Sequence, residues 1–319
     1  MTRSGPGQRA RRFATIDLGS NTVRLLVVEA FADGSWRPLL HDQRVTRLGE
    51  GLASNGALSL AAMARTAGVV QEYVGRAAAA DASEVRIVAT SAMREATNGR
   101  EFAAALERAT GTSVHIVSGE EEARLTVRGI QAALGPPADR LLAFDIGGGS
   151  TEFILAEHGQ VTNAVSLKLG VVPLAERHPF PGPVEPDRYA RLVDEIRAQL
   201  VRELPPAIAG AAVSELIGTA GTATTLAALD LSLQRYDAAR VQGHRMSRAA
   251  IARVAQRLAA IDVAARAALP CLEPGRADLI VPGVAIVVAA LEVIGAGTLI
   301  VSDWGLREGI VTEALRTTA

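Results

Sequence analysis

Residues 141–155 read LLAFDIGGGSTEFIL, an apolar run that reaches an acid, Asp145, and continues through three consecutive glycines. Ser150 and Thr151 follow, and the chain then becomes apolar again. Consecutive glycines between two strand-like runs lose much chain entropy on folding and contribute no side-chain packing. Their position beside a carboxylate therefore indicates a loop whose backbone has a functional role.

The same pattern occurs earlier in the chain. Residues 14–27 read ATIDLGSNTVRLLV, in which Asp17 precedes a shorter glycine-containing loop. Both copies predict a strand, a loop, a second strand, a turn and a third strand, and the acids at 17 and 145 are 128 residues apart. A repeat at this distance indicates two similar domains rather than a solenoid.

A strand that ends in an acid and continues through a glycine loop into an antiparallel strand can form a cradle for phosphate. Glycine lets backbone N–H groups approach an anion closely and directs several donors at one oxygen. The acid cannot bind phosphate directly, but it can hold a hard divalent cation such as Mg²⁺ through water. One such loop is more often an ordinary hairpin. Two copies on the same meander predict a phosphate site that holds its ligand from both sides.

Composition narrows the classes of function. A net charge of −1 with 49% hydrophobic residues describes a globular protein without a bias toward nucleic acid or membrane. The single cysteine, Cys271, excludes an internal disulfide and fits a reducing cytoplasm. The most apolar segment, 279–291, contains a proline and is too short to span a bilayer, so we expect a buried helix. The sequence predicts a cytoplasmic protein with no nucleic acid or membrane partner.

A third glycine-rich segment, GTAGTATTLAAL at 218–229, is predicted to be a loop that runs into a helix. Gly218, Gly221 and the N–H groups that follow them would bind another phosphate or a nucleotide, helped by the helix N-terminus. Close packing of a helix on a sheet explains the same glycines equally well. Both interpretations stay open.

The segment SGEEEARL at 118–125 places three acids at a predicted helix start. Ser118 and Glu121 have the spacing of a capping box, which leaves Glu122 without a capping role. Judged by spacing alone, favourable charge near a helix N-terminus explains these acids better than catalysis does.

Arg94 follows a predicted buried strand at 85–90, in the loop SAMREATNG. Open α/β sheets place their ligand residues at strand ends, where an arginine can clamp phosphate through paired N–H groups. An ion pair with Glu95 or with other nearby acids is the alternative.

Six stretches together resemble the exopolyphosphatase and guanosine pentaphosphate phosphohydrolase family. In the family's order, between residues 13 and 310, they are IDLGSNTVRLLV, ATSAMREATN, SGEEEARL, DIGGGSTEF, GTAGTATTLAAL and VSDWGLREGI. The resemblance implies an α/β fold of two actin-like (ribonuclease H-like) domains, with mixed sheets and an active cleft between the domains. The first domain would hold residues 1–125 and the last helix, 303–319, and the second would hold residues 126–302.

The resemblance also implies roles for single residues. Glu122, immediately before Ala-Arg, would be the catalytic base, and Asp17 and Asp145 would flank the metal, Mg²⁺ or Mn²⁺. Arg94 and Asp145 would assist catalysis, Arg94 by spreading the charge of the end phosphates. The phosphate-binding positions would be Gly19, Ser20, Asn21, Arg94, Ser118, Gly147, Gly148, Gly149 and Ser150, to which the third glycine-rich segment adds Gly221.

The implied reaction is hydrolysis of the terminal phosphoanhydride of inorganic polyphosphate by a water that Glu122 deprotonates. Guanosine pentaphosphate is expected as a secondary substrate, because its triphosphate end presents a similar terminal group. Longer relatives continue into a large helical domain, whereas this sequence stops at Ala319. We therefore expect a short form that prefers short chains. A homodimer is a separate expectation.

Three alternatives stay open. A kinase or ATPase of the wider actin, sugar kinase and heat-shock ATPase superfamily would need an adenosine pocket behind residues 218–225. A non-catalytic sensor would bind guanosine tetraphosphate or pentaphosphate, the alarmones of the stringent response, without turnover. An actin-like filament former is the third alternative, and nothing in the sequence favours it.

Overall fold

The computed structural model describes residues 11–135, 139–213 and 215–316, and these residues form two sheets flanked by helices. The strands of the first sheet are β1 (Arg11–Leu18), β2 (Thr22–Ala30), β3 (Trp36–Val45), β4 (Glu84–Ala89) and β5 (Val114–Ile116). Those of the second sheet are β6 (Arg140–Ile146), β7 (Thr151–Glu157), β8 (Gln160–Leu167), β9 (Glu215–Thr219), β10 (Arg245–Ser247) and β11 (Thr298–Val301).

Helices connect and cover these sheets. The helices up to the second sheet are α1 (Leu52–Asn55), α2 (Leu60–Ala79), α3 (Ser91–Glu95), α4 (Gly99–Thr110) and α5 (Gly119–Leu134). Those that follow are α6 (Val171–Arg177), α7 (Pro186–Glu203), α8 (Pro206–Ala209), α9 (Ala220–Asp230), α10 (Ala238–Val241), α11 (Arg248–Ala259), α12 (Val263–Ala267), a 3₁₀ turn (Pro274–Arg276), α13 (Ile280–Ile294) and α14 (Leu306–Arg316). Within the described ranges, no helix combines the length and apolar character that crossing a membrane requires.

Both sheets are mixed and share one topology. In the first, ordered β3-β2-β1-β4-β5, the first three strands form an antiparallel meander and β4 and β5 run parallel to β1 and β4. In the second, ordered β10-β11-β9-β6-β7-β8, strands β6 to β8 form the same meander and β9 and β11 continue in parallel. The sequence repeat is therefore a structural repeat, and the predicted α/β fold of two actin-like domains is confirmed.

A two-residue turn sets the register of the second meander. His158 and Gly159 join β7 to β8, and both have positive φ, 48° and 81°. This is the backbone of a type I′ turn, whose twist matches that of the strands it joins. The turn pairs Glu157 with Gln160 and so fixes which side chains of β7 face the core.

The segment 218–229 differs from the prediction of a glycine loop. Strand β9 continues to Thr219, and α9 begins at Ala220 after a sharp turn in which Ala220 has a φ of 66°. Gly218 lies within the strand, where a Cβ atom would be only 2.8 Å from the Phe144 ring. The loop prediction was therefore wrong at Gly218, where close packing, one of the two interpretations left open, accounts for the glycine.

Helix α5 packs against both domains, and α14 returns to the first. One apolar cluster joins α14 and Leu125 of α5 to the first sheet; its members include Phe13, Leu26, Val28, Leu306, Ile310 and Val311. Another joins the other face of α5 to the second sheet; its members include Ala123, Val127, Ile130, Leu141, Ala143 and Ile154. The packing of α14 supports its assignment to the first domain. The boundaries near 125 and 303 stay predictions, and the former falls inside α5.

The backbones of α5 and α14 touch at glycines. A Cβ atom on Gly309 would overlap the carbonyl oxygen of Leu125, and one on Gly129 would overlap that of Gly305. Glu313 of α14 also forms ion pairs with two arginines of α5. The start of α5 is thereby held at a fixed position between the domains.

We expect Gly309→Ala to lower the free energy of unfolding by about 1–3 kcal/mol, because the added methyl group has no room between the helices. Thermal and urea denaturation measure the change. The matched control is Gly68→Ala in α2, where a Cβ atom meets nothing within 4 Å. This control is expected to gain about 0.5–1 kcal/mol, since glycine is unfavourable inside a helix. Equal stability of the two variants would contradict the close contact.

Candidate active site

The two glycine loops have the same internal geometry. In the first, the Gly19 N–H donates to the Thr22 carbonyl at 3.1 Å, and in the second the Gly147 N–H donates to the Ser150 carbonyl at 2.9 Å. Each hydrogen bond closes a four-residue turn between antiparallel strands. In the described part of the chain, no acceptor is found for the N–H groups of Ser20, Asn21, Gly148 and Gly149.

Neighbouring segments bind the carbonyl groups of these loops. In the first loop, the carbonyls of Ser20 and Asn21 accept hydrogen bonds from N–H groups of residues 46–49 at 2.7 to 3.0 Å. In the second, the carbonyls of Gly147 and Gly148 accept from the first two residues of α6 at 3.2 and 2.8 Å. Because the acceptors are already bonded, the loops present donors to a ligand, as a phosphate site requires.

The loops of the two domains lie directly against each other. A Cβ atom on Gly148 would be 2.8 Å from the Asn21 nitrogen, and one on Gly149 would be 2.9 Å from the hydroxyl oxygens of Ser20 and Ser91. These two hydroxyls are hydrogen-bonded at 2.9 Å. The glycines are therefore required by the close approach of the domains, and the cleft lies where both loops converge.

The acids at the strand ends have different partners in the two copies. Asp17 pairs across the meander with Arg24, and Asp145 pairs in the same register with Glu152. The Arg24 guanidinium donates to Asp17 at 3.1 Å. Glu152 is buried and accepts two serine hydroxyls at 2.7 and 2.6 Å. Sequence reasoning missed Arg24 and Glu152, although both lie seven residues after the acid of their copy.

Glu122 enters the cleft from the first turn of α5. The Ser118 hydroxyl accepts from the Glu121 N–H at 3.1 Å, so the Ser118 half of the predicted capping box is formed, whereas the Glu121 carboxylate contacts His115 at 3.1 Å instead. Glu122 is only 7% exposed and lies 3.0 Å from Arg94. The structure thus gives the two neighbouring glutamates different surroundings, one at the surface and one in the cleft.

Arg94 lies on the short helix α3 rather than in the loop that the sequence predicted. Its guanidinium donates to the Val117 carbonyl at 2.9 Å and to Glu122 at 3.0 Å. The partner of Glu95 is instead Lys168, at 3.9 Å. Arg94 therefore faces the candidate base and has one side anchored to the segment before α5.

Burial raises the pKa values of Asp145, Glu122 and Glu152 in the cleft. The pKa of Asp145 is raised to about 7 by burial and then by the charge of Glu152, while Arg24 acts in the opposite direction. Burial also raises the pKa of Glu122 well above its usual range; Glu152 adds to the rise and Arg94 opposes it. Burial raises the pKa of Glu152 against its serine hydrogen bonds. The carboxylates therefore hold protons more tightly than free side chains do.

The donor set fits a divalent cation. One oxygen of Asp17 is buried without a hydrogen-bond partner among the described residues. The carboxylates at the cleft outnumber the arginines beside them; they are Asp17, Asp145, Glu122 and Glu152 against Arg24, Arg94 and Arg276. Within the described ranges, no three His, Cys, Asp or Glu side chains form a cluster that could hold a metal. Mg²⁺, however, commonly uses only one or two carboxylates and keeps several waters.

A cavity of about 80 Å³ lies between the loops and adjoins a second cavity of about 480 Å³. The sequence-predicted residues that line the smaller cavity are Asp17, Gly19, Ser20, Asn21, Glu122, Asp145, Gly147, Gly148, Ser150 and Gly221. Gly149 lies against the hydroxyl of Ser20, and Arg94 contacts Glu122. Ser118 stands apart, since its hydroxyl caps α5. The structure thus brings together nearly every residue of the predicted site.

Arg276 stands where the two cavities adjoin, and sequence reasoning missed it because it lies outside the six stretches. Its guanidinium donates to the side chains of Thr22 and Gln43, at 3.3 and 3.1 Å, on the first domain. A Cβ atom on Gly221 would overlap this guanidinium, so Gly221 provides the room for it. Burial and then the charge of Arg24 lower the pKa of Arg276 to about 10, so it remains charged at neutral pH.

Polar contacts join the domains beside the first loop. Arg47 donates to both carboxylate oxygens of Asp278, each at 2.9 Å, while its own N–H binds the Asn21 carbonyl. The Gly51 N–H donates to Glu176 of the second domain at 2.9 Å. Arg47 thus connects the first phosphate loop to Asp278 of the second domain, and Glu176 provides a second link beside it.

In the presence of EDTA, we expect the melting temperature to fall as the pH rises from about 5 to about 8. The pKa of Asp145 is about 7 in the folded chain, against about 3.9 in a free side chain. The folded state therefore binds the proton more tightly, and stability present below about pH 4 is lost as the pH rises through 7. Calorimetry across this range measures the slope.

Asp145→Asn removes the titrating group and should flatten this dependence. Asp139→Asn, which removes an exposed surface acid, serves as the matched control and should keep the wild-type slope. A slope that is the same in Asp145→Asn and the wild type would show that another group is responsible.

Comparison with known proteins agrees with the geometry. Residues 27–318 match the model of the Ppx/GppA phosphatase family. Exopolyphosphatase 2 of Mycobacterium tuberculosis is 37% identical over 316 residues, which cover 94% of this chain and 97% of that protein.

Solved structures give the same result. The Aquifex aeolicus member of the Ppx/GppA family superposes with a TM-score of 0.81 at 31% identity, covering 97% of this chain and 99% of its own. An exopolyphosphatase-like protein superposes with a TM-score of 0.88 at 28% identity, covering 98% and 100%. With the duplicated phosphate loops and the buried glutamate between them, these matches show that the chain belongs to the Ppx/GppA phosphatase family.

Proposed function

We propose that the protein is an exopolyphosphatase, which hydrolyses the terminal phosphoanhydride of inorganic polyphosphate. The observation that carries this proposal is the position of Glu122, a buried carboxylate on the wall of a small cavity between two phosphate loops. The mycobacterial relative bears the name exopolyphosphatase, which supports the choice of substrate.

The loops bind the terminal phosphate through N–H groups that are fixed before the ligand arrives. Their carbonyl groups are bonded to neighbouring segments, so the donors keep their direction without reorganising. Preorganised donors of this kind stabilise charge that develops in a transition state. Arg94, anchored on the Val117 carbonyl, adds a positive charge beside the reacting phosphate.

Glu122 acts as the general base for the attacking water. A base works best when its pKa lies near the working pH, and burial raises the pKa of Glu122 in that direction. Glu152, whose charge contributes to this rise, is held in place by two serine hydroxyls. We assign Glu152 a positioning and electrostatic role rather than contact with the substrate.

Asp17 and Asp145 hold Mg²⁺ in this proposal. When bound, the cation supplies charge neutralisation of the phosphate oxygens. The two acids end the equivalent strands of the repeat, so they approach the cleft from the two domains. Arg24 keeps Asp17 in position through its hydrogen bond at 3.1 Å.

Guanosine pentaphosphate is a proposed secondary substrate, favoured by the larger cavity. Trp36 and Trp304 both line it and stack with their ring centroids 4.6 Å apart. An aromatic surface in the cavity that adjoins the phosphate loops suits a nucleobase, and Arg24 and Arg276 line both cavities. A preference for short polyphosphate chains is also part of the proposal. The homodimer and the cytoplasmic location stay predictions from the sequence.

The function is tested by measuring phosphate release from tripolyphosphate, long polyphosphate, guanosine pentaphosphate and ATP, each with Mg²⁺ and with EDTA. We expect the fastest release from short polyphosphate, slower release from guanosine pentaphosphate, and little release in EDTA. Tight binding of guanosine pentaphosphate without any phosphate release would identify a sensor instead. Preferential use of ATP would identify a nucleotide-using enzyme.

Glu122→Gln should lower the turnover rate by about 10²- to 10⁴-fold, because it removes a positioned general base. Polyphosphate binding and the melting temperature should change little. The adjacent Glu121→Gln is the matched control, since Glu121 contacts His115 at the surface. Loss of turnover in Glu121→Gln with a near wild-type rate in Glu122→Gln would show that Glu121, and not Glu122, is the base.

Mg²⁺ should raise the melting temperature of the wild type at about pH 8, where the carboxylates that bind it are deprotonated, since binding to the folded state alone stabilises it. Asp145→Asn should lose most of this rise because one of the two proposed ligands is gone. Asp139→Asn is the control and should keep the rise. An unchanged Mg²⁺ effect in Asp145→Asn would remove this residue from the metal site.

A further inference from the structure

The cavity between the loops, of about 80 Å³, holds the terminal phosphate in the proposed function, and a cavity of about 480 Å³ adjoins it. The rest of a polyphosphate substrate then extends into the larger cavity. Arg24 and Arg276 line both cavities, so they stand on the path between them. Guanidinium groups suit the next phosphates of the chain.

Two arginines and two acids, Asp17 and Asp145, line both cavities, whereas acids predominate on the wall of the larger cavity beyond them. The acids that line only the larger cavity are Asp42, Glu273, Asp303 and Glu308. The basic side chains that line only this cavity are Arg307 and His41. A polyanion that continues past the arginines therefore enters a region where acids predominate.

Among these acids, Asp303 stands out because it lacks a cationic partner. Glu308 lies 3.3 Å from Arg307, Glu273 lies 3.5 Å from Arg276, and Asp42 is paired with an arginine of α2. In the described part of the chain, no arginine, lysine or histidine lies within ion-pair distance of Asp303. Its charge is therefore not neutralised by a neighbour.

The position of Asp303 is fixed by its surroundings. The Tyr236 hydroxyl donates to its carboxylate, and the Asp303 N–H donates to the Gln242 side chain at 2.8 Å. The next residue is held too, since its carbonyl accepts the Ser302 hydroxyl at 2.7 Å. With both the backbone and the carboxylate bound, Asp303 cannot easily turn away from an approaching anion.

We infer that Asp303 determines chain-length specificity by repelling the phosphates of a polyphosphate chain that extends beyond Arg24 and Arg276. The inference rests on the proposed exopolyphosphatase function and names a residue that sets its substrate range. A short chain ends at the arginines and avoids Asp303.

The test compares Asp303→Asn with the wild type. The measured quantity is the ratio of kcat/KM for long polyphosphate, per chain end, to kcat/KM for tripolyphosphate. We expect the variant to raise this ratio roughly tenfold, because one like charge at close range is removed. Salt screens such repulsion, so the wild-type ratio should rise with ionic strength more steeply than that of the variant.

Two matched variants separate charge from structure. Tyr236→Phe removes the hydrogen bond that holds the Asp303 carboxylate but keeps its charge, so the ratio should rise much less than in Asp303→Asn. Asp139→Asn removes a carboxylate from the outer surface and should leave the ratio unchanged. Melting temperatures of all variants show whether each one is folded.

Binding provides a measurement that does not need turnover. Trp36 and Trp304 are the two tryptophans of the chain and stack in this cavity, so their fluorescence reports a ligand that enters it. Tripolyphosphate and long polyphosphate are titrated into Glu122→Gln with and without Asp303→Asn.

The outcomes distinguish the two proposals. A raised long-to-short ratio in binding, without phosphate release by the wild type, would support the role of Asp303 and overturn the proposed function. Ratios within about twofold of the wild type in both assays would overturn the role of Asp303 alone, as would an equal change in Asp139→Asn. Absence of polyphosphate binding would overturn the role of Asp303 as well.

Discussion

The backbone of one glycine loop lies against the backbone of the other, and this contact sets the spacing of the two domains. A side chain at Gly148 would meet the Asn21 nitrogen and push the loops apart. The N–H groups would then no longer converge on a single phosphate-sized space. The contact between α5 and α14, also made through glycines, holds the same spacing farther from the cleft and keeps Glu122 at its wall. The glycines thus define the binding site because they let the two backbones come into contact.

The two copies of the repeated element in the cleft differ in electrostatic character. In the first copy, Asp17 is matched by Arg24, so the pair is close to neutral. In the second copy, Asp145 faces Glu152 in the same register, and burial raises the pKa of both. The second copy therefore attracts a cation or a proton more strongly than the first does.

Much of this arrangement could be predicted from local sequence. The repeat, the strand ends at the two acids and the Ser118 cap each depend on residues close together in the chain, and the structure contains all of them. The role of Gly218 could not be predicted in this way, because the ring that demands a glycine comes from another strand. Arg276 contacts Thr22 from 254 positions away and has no periodic signal. The boundary at 125 falls within α5 because one helix can pack on two domains through different faces.

The ion pair between Arg47 and Asp278 has a mechanical consequence. Both side chains are about one-third exposed or more, so the pair adds little to overall stability. Its geometry matters more: it is bidentate, and the backbone of Arg47 is bonded to the first phosphate loop. Elsewhere across the cleft, Lys168 and Glu95 are 3.9 Å apart and Lys168 is almost fully exposed. Arg47 therefore holds the first phosphate loop to the second domain more firmly than the pair of Lys168 and Glu95 joins the domains on its side of the cleft.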